Sequence, residues 1–373
     1  PAKRRSSVLH KGAIIHVSSV RTDTATYDFG SLLKLDFQGN LVWQRYYYDS
    51  ASRLYPRCVA ATGDGGYVIG GQLLGGGAPA LVIKTDSAGN ELWRKAVATS
   101  PQNFAQIQSI IEDSASGKII AVGFEDLANG EADFTVVLES TAGQVLYTGH
   151  RYSLGGCAND IIRTSDQKFV TTGYLTDNEF VSRYSAFVYK FDVNNPDSTI
   201  WELSAYRGFS LANTFDVVAE LKDKSLIVCG AFDSLVEIKQ RYNMLAHLVK
   251  LDGATGAIKW EKFYDYELDS TDWNIMKGVC INPTSDNGFV LSLRIENVDN
   301  NPLFYVKYDS TGCDMANDQC KYVGLSEYGR GKDFMIAPNP ATEYFSVQAS
   351  FSGSFEMEMV NGTGAVVYSD TGC

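Results

Sequence analysis

The sequence predicts an all-β fold, a six-bladed β-propeller of four-stranded blades over residues 1–312, followed by a separate strand-rich tail. Three observations predict it. One hairpin phrase recurs at steps of 50 to 60 residues. A second, apolar strand phrase precedes each copy, and no segment shows helical periodicity.

The hairpin phrase stands out at 32–45, "LLKLDFQGNLVWQR", at 81–95, "LVIKTDSAGNELWRK", and at 248–262, "LVKLDGATGAIKWEK". Its anchor, Lys-x-Asp-x-x-Gly, aligns Lys34, Lys84, Lys190, Lys250 and Lys307, with Leu138 standing in for the third copy. Asp accepts hydrogen bonds from nearby backbone amides and Gly supplies a positive φ, so each phrase reads as strand, tight turn, strand. Before it come "KGAIIHV" (11–17), "GGYVIGG" (65–71), "GKIIAVG" (117–123), "QKFVTTG" (167–173), "KSLIVCG" (224–230) and "NGFVLSL" (287–293). A further strand-like piece precedes most of these, as in "CVAAT", "SIIED", "DIIRT" and "DVVAEL". Four strands per unit and six units fit radial closure, which protects sheet edges that six loose sheets would expose. Tandem β-sandwiches are the rival, but they need about seven strands and a period near 100 residues.

Four of the five tryptophans, Trp43, Trp93, Trp201 and Trp260, take equivalent places in the fourth strand. A large ring there is expected to wedge between adjacent blades. Trp273 is off the pattern and is read as a loop-tip ring open to binding. The phrase "KLDGATGAIKW" resembles the tryptophan-docking repeat of quinoprotein propellers, Ala-x-Asp-x-x-x-Gly-x-x-x-Trp. The resemblance spans roughly 8–312 and implies the blade structure. Quinoprotein dehydrogenases usually have eight blades and often a vicinal cysteine pair; with six units and no adjacent cysteines here, no cofactor is carried over.

With 373 residues, 45% apolar and 20% charged, the composition is globular. A formal charge of −12 disfavours a nucleic-acid partner, since phosphates reward clustered Lys and Arg. The one basic cluster, Lys3-Arg4-Arg5, reads as a solvated terminus. No apolar run reaches the roughly 20 residues of a membrane-spanning helix. The opening residues lack a signal-peptide core, so any such peptide is expected to have been removed. Cys229 and Cys280 lie in apolar strand patterns and read as inert thiols. Cys313 and Cys320 bracket "DMANDQ", where a small disulfide loop would favour an oxidising compartment.

Signatures of chemistry are sparse. The four histidines are scattered, and no Cys-x-x-Cys, Gly-x-Ser-x-Gly or phosphate-loop pattern occurs, so no metal or cofactor site is assigned. Asp160 and Asp216, near the starts of first strands, are the carboxylates best placed to line a central channel as an acid–base pair for glycoside hydrolysis. A channel-mouth or turn role explains them as well. For binding, the tyrosine run in "RYYYDS" (45–50) alternates faces, Tyr46 and Tyr48 on one and Tyr47 on the other. One face packs between blades; the other is a candidate contact surface, and Tyr47 joins Trp273 as a binding candidate. The segments 174–185 and 231–243 read as long loops between second and third strands, where recognition usually sits.

After residue 312 the rhythm stops. Residues 313–333 read as a polar linker, and 334–373 begin "FMIAPNPATEYFSVQ". This tail resembles the C-terminal sorting domain of type IX secretion cargo in Bacteroidota. The residues carrying the resemblance are Pro338, Asn339, Pro340 and Ala341, then Phe345 and Val347, then the hairpin "VNGTGAVV" at 360–367. Family domains are longer and end in Lys or Arg, so the resemblance implies an incomplete, β-sandwich-like sorting domain. It further implies passage through the periplasm, contact with the type IX machinery, and a cell-surface or extracellular location. Asp followed by Ser or Thr resembles the O-glycosylation sequon of the same phylum at Thr24, Ser50, Ser87, Ser114, Ser198, Ser234, Ser270 and Ser310; ordinary turn chemistry also explains the pattern. The sequence therefore leads to an exported propeller that binds a surface glycan or protein, or self-assembles, without catalysis. The alternative is a secreted carbohydrate-active enzyme using the channel carboxylates.

Overall fold

In a computed structural model of the chain, the structure describes residues 5–21, 28–49, 52–75, 78–98, 103–128, 130–152, 155–176, 183–210, 213–236, 241–264, 275–296 and 303–312, with four short strands beyond. Every regular element among them is a β-strand, and they form a six-bladed β-propeller. Blade one holds β1 (Ser7–His10), β2 (Ala13–Val20), β3 (Phe29–Asp36) and β4 (Leu41–Tyr47). Blade two holds β5 (Arg53–Ala61), β6 (Tyr67–Leu74), β7 (Ala80–Thr85) and β8 (Glu91–Val97). Blade three holds β9 (Ala105–Asp113), β10 (Lys118–Leu127), β11 (Gly130–Glu139) and β12 (Val145–Gly149). Blade four holds β13 (Gly156–Arg163), β14 (Phe169–Thr176), β15 (Tyr184–Asp192) and β16 (Asn195–Ser210). Blade five holds β17 (Asn213–Glu220), β18 (Leu226–Val236), β19 (Arg241–Leu251) and β20 (Ile258–Tyr264). Blade six holds β21 (Ile275–Pro283), β22 (Phe289–Glu296) and β23 (Leu303–Tyr308), three strands among the described residues.

Each blade is an antiparallel meander in chain order, so β1 opens its own blade. One parallel bridge, Met244↔Ile275, joins the sheets of blades five and six. The segment 231–243, read above as a long loop, is mostly strand: the β18–β19 ladder runs out to Val236↔Arg241. The tail contributes two antiparallel pairs, β24 (Phe334–Ala337) with β25 (Ser346–Ala349) and β26 (Phe355–Val360) with β27 (Val366–Gly372). Pro338–Ala341, the linker and Cys313 and Cys320 lie outside the described residues, as does Trp273.

The repeated residues have two structural jobs. The first is docking. Trp43 lies over Gly89, Trp93 over Gly143, Trp201 over Gly256 and Trp260 over Gly312, so closely that a Cβ on each glycine would sit 2.6–2.8 Å from the ring. These glycines are in the hairpin turn of the next blade with φ between 67° and 78°. Each turn therefore needs Gly twice, for its backbone and for the ring packed on it. The second job is stapling. Lys84, Lys190, Lys250 and Lys307 reach back to Asp64, Asp166, Asp223 and Asp286 in the turn between first and second strands, at 2.6–3.1 Å. Lys190 and Lys250 also donate to carbonyls of the following blade, Gly253 (2.6 Å) and Ser310 (2.8 Å).

The third copy departs from the pattern by one position. Val137 pairs with Tyr147 as Lys84 pairs with Trp93, so Val137 and not Leu138 occupies the lysine register. The blade-three turn is one residue longer, closing from the Glu139 amide to the Gln144 carbonyl where Asp86 reaches Asn90. Counting back from Gly143 therefore lands one residue late.

Apolar packing is between blades. Five buried clusters join blades one to two, two to three, three to four, four to five and five to six. Among the described residues no sixth cluster joins blade six to blade one.

Candidate functional site: the channel and the cleft between blades three and four

The first strands carry a β-bulge at one shared level. The extra residues are Arg57, Gln108, Asn159, Asp216 and Val279, each skipped by the second-strand ladder. A bulge re-aims the strand and its side chains. Asp216 thus corresponds to Asn159, while Asp160 is the residue after a bulge. The two aspartates occupy different registers and do not form an equivalent pair.

Asp160 is 1% exposed. Its carboxylate takes Arg5 Nε at 2.6 Å and Nη2 at 3.1 Å. It also accepts from Ser109 Oγ (2.9 Å), the Ile161 amide (3.0 Å) and the Val218 amide (3.2 Å). Five donors exceed the roughly four lone-pair directions of a carboxylate. Arg5, read above as part of a solvated terminus, is instead held against the first strands of blades two and four by Asp160 and by its carbonyl, which accepts from the Val59 amide at 3.0 Å. Arg5 and Asp160 thereby tie the chain start to blades two, three, four and five. Asp216 is buried, with Asn159 Nδ2 3.4 Å from its Oδ1.

Tyr47, expected from strand alternation to offer a binding face, is buried in the interface with blade two, where its hydroxyl donates to the Gly89 carbonyl at 2.8 Å. The open face of that strand carries Tyr46 and Tyr48, 45% and 61% exposed, which pack around Phe29 at ring separations of 5.3 and 4.9 Å. Cys229 is buried and Cys280 half-buried, both thiols on strands as expected.

The sequence reading missed a cleft between blades three and four. Tyr147 takes the docking place there, and the facing turn, Asp192-Val193-Asn194-Asn195, holds no glycine to receive a ring. Blades three and four leave a cavity of about 320 Å³ lined by Thr135, Tyr147, His150, Arg151, Tyr152, Tyr189, Pro196, Asp197 and Glu202. Tyr147 donates to Asp197 Oδ1 at 2.5 Å and Tyr152 to Glu202 Oε1 at 3.0 Å. Burial, with the neighbouring carboxylates, pushes both phenols well above their ordinary range, so they stay protonated donors. The Arg151 guanidinium lies 4.6 Å from the Tyr189 ring centre. It meets Glu202 Oε2 and the Asp197 carbonyl only at 3.4 Å.

Beneath the cleft, fully buried Asp133 accepts from the Arg151 amide (3.1 and 3.2 Å) and the Tyr152 amide (2.8 Å). Burial pushes its carboxyl up to about 6, against the pull of those two amides. Buried Glu125 holds His150 Nε2 at 2.8 Å. Asp133 and Glu125 thus fix the backbone and side chains that shape the cleft. The legible signal was the absence of Trp and of the turn Gly at one interface.

No family model matches the chain, and no curated protein matches it. Among solved structures, hydrazine synthase of Kuenenia stuttgartiensis aligns with a TM-score of 0.51 at 10% identity, covering 77% of this chain and 78% of that one. A protein of unknown function from Dyadobacter fermentans aligns at 0.49 and 11%, covering 82% and 94%. The β-propeller domain of the Trilobed protease from Pyrococcus furiosus aligns at 0.43 and 12%, covering 84% and 91%. At these identities the likeness concerns the fold alone.

Proposed function

We propose that this chain is an exported β-propeller that binds a ligand at or beyond the cell surface without transforming it. The observation that carries the reading is the state of Asp160. A general acid or base must exchange a proton with substrate, and a carboxylate already holding five protein donors has no lone pair to offer. The cleft, by contrast, presents two carboxylates, an arginine and tyrosines around a mainly polar cavity, a set of donors and acceptors that can hold a polar ligand.

Export rests on the sorting-domain resemblance of Pro338, Asn339, Pro340 and Ala341, with the type IX machinery as the partner. Of the sequon residues, Ser87, Ser114 and Ser198 are exposed and open to O-glycosylation, while Ser310 is half-buried. The side chain of Ser234 and residues Thr24, Ser50 and Ser270 lie outside the described residues. The exposed Tyr46 and Tyr48 supply a second contact face suited to a protein partner or to self-association.

The test uses the full chain on a glycan array and a polysaccharide panel. Binding without sugar release supports the proposal. Release that disappears in Asp160→Asn or Asp216→Asn overturns it in favour of the carbohydrate-active enzyme. Cell fractionation with residues 334–373 deleted tests export: the deleted chain is expected to remain in the periplasm.

A further inference from the structure

Blade three departs from the repeat at two positions; Tyr147 lines the cavity, while Val137 is buried in the apolar cluster between blades three and four. Val137 replaces the staple lysine and Tyr147 the docking tryptophan, and the turn opposite lacks its glycine. The tryptophan kept for docking at four other interfaces is here exchanged for a tyrosine whose hydroxyl meets Asp197 at the cavity. Buried Asp133 fixes the 151–152 backbone from behind, while the hydroxyls of the half-buried lining residues Tyr147 and Tyr152 hold the carboxylates of Asp197 and Glu202.

One set of contacts is left loose. The Arg151 guanidinium stands 3.4 Å from each of its acceptors, where charge-assisted bonds settle near ~2.8 Å. Arg151 is nevertheless positioned by its stack on Tyr189. Its donors, and the remaining lone pairs of Glu202 and Asp197, are preorganised and underused.

We infer that this cleft seats one neutral pyranose unit of a glycan. The inference rests on the binding reading above and names its ligand class. A vicinal diol both accepts and donates, so one sugar hydroxyl takes an Arg151 N–H while donating to Glu202, and its neighbour does the same toward Asp197. The charge pattern selects neutrality. A cation is met by Arg151 and an anion by Asp197 and Glu202, whereas a polyol satisfies both signs. The size selects one ring: about 320 Å³ is at the small end of ligand pockets.

The experiment is ligand-observed saturation-transfer NMR on the full chain with methyl hexopyranosides, a hexuronate and a hexosamine. The neutral pyranosides are expected to bind best. Glu202→Gln and Arg151→Lys are each expected to weaken that binding roughly tenfold or more, the first because a charge-assisted bond is lost and the second because lysine lacks the planar fork held on the Tyr189 ring. Glu91→Gln, on the outer strand of blade two, should leave it unchanged. Circular-dichroism melting verifies folding, and Glu202→Gln stands alone if Arg151→Lys unfolds. Absence of neutral-pyranoside binding to the parent chain overturns the inference, as does a preference for the hexuronate or hexosamine. Array binding that persists unchanged in both variants also overturns it, while leaving the binding function standing at another face.

Discussion

At the residue scale, the glycines and aspartates show that identical residue types serve different physics by position. Gly143 has φ 67° and Trp93 lies 2.7 Å from where its Cβ would be, whereas Gly39 has φ 84° and no described atom within 4 Å of that point. Gly143→Ala should combine backbone strain with overpacking and cost about 2–4 kcal/mol. Gly39→Ala should cost about 1–2 kcal/mol, from the backbone alone. Urea unfolding of the two variants compares them directly. Asp133 behaves in the opposite sense to the turn aspartates. Its folded pKa, about 6, is above the unfolded value, so the folded state holds the extra proton and stability falls as pH rises from about 4 through 6. Asp133→Asn keeps one amide acceptor and removes the buried charge. It is expected to stabilise the chain at pH 7–8 by on the order of 2 kcal/mol, with the gain vanishing below pH 4. Thermal melts across that range would refute this if the gain were independent of pH.

At the element scale, the staple between the third strand and the first turn depends on which partner is buried. Lys84 is 1% exposed and Asp64 is 56% exposed. Burial alone would raise the Asp64 carboxyl, but hydrogen bonds from Lys84, Thr62 and the Gly66 amide outweigh it and hold it near 2. The same devices lower Asp223 and Asp286. Folded pKa values below the unfolded one give stability that is present above about pH 4 and is lost as pH falls toward 2. Asp64→Ala strands a buried ammonium and should cost about 2–4 kcal/mol, while Lys84→Met replaces it with an apolar chain of similar length and should cost less than about 1 kcal/mol. Equal costs in denaturant melts would show that the pair acts only through its Coulomb attraction. The lysine register was readable in the sequence; its partner was not, because the aspartate is some 20 residues earlier in a turn that only strand pairing brings near. The same limit explains Leu138. A turn lengthened by one residue leaves the sequence spacing intact to Gly143 but shifts the ladder to Val137.

At the scale of the whole molecule, five interfaces have buried clusters and the sixth, between blades six and one, has none among the described residues. Each blade is built from consecutive strands, so no shared sheet spans that seam in the described structure. The Arg5–Asp160 pair then acts as a central brace from the chain start to blade four. Native-state hydrogen exchange is expected to show β1, β2, β22 and β23 opening at lower free energy than β10 and β14. Arg5→Ala should accelerate exchange at the amides bonded to Asp160, at Ile161 and Val218, by roughly tenfold or more. Uniform protection around the ring would count against the seam, and unchanged exchange in the variant against the brace.

The amino-acid sequence by itself determined the number of blades, their strands and the docking role of four tryptophans, because each depends on periodicity and turn chemistry that repeat locally along the chain. It could also place Asp160 and Asp216 on first strands of their blades. Only the tertiary structure decided that Asp160 is consumed by donors from several blades, that Tyr47 faces inward while Tyr46 and Tyr48 do not, and that a cleft opens between blades three and four. Those outcomes depend on bulges and on contacts between residues some 40 to 155 positions apart, and such contacts leave no local trace in the chain.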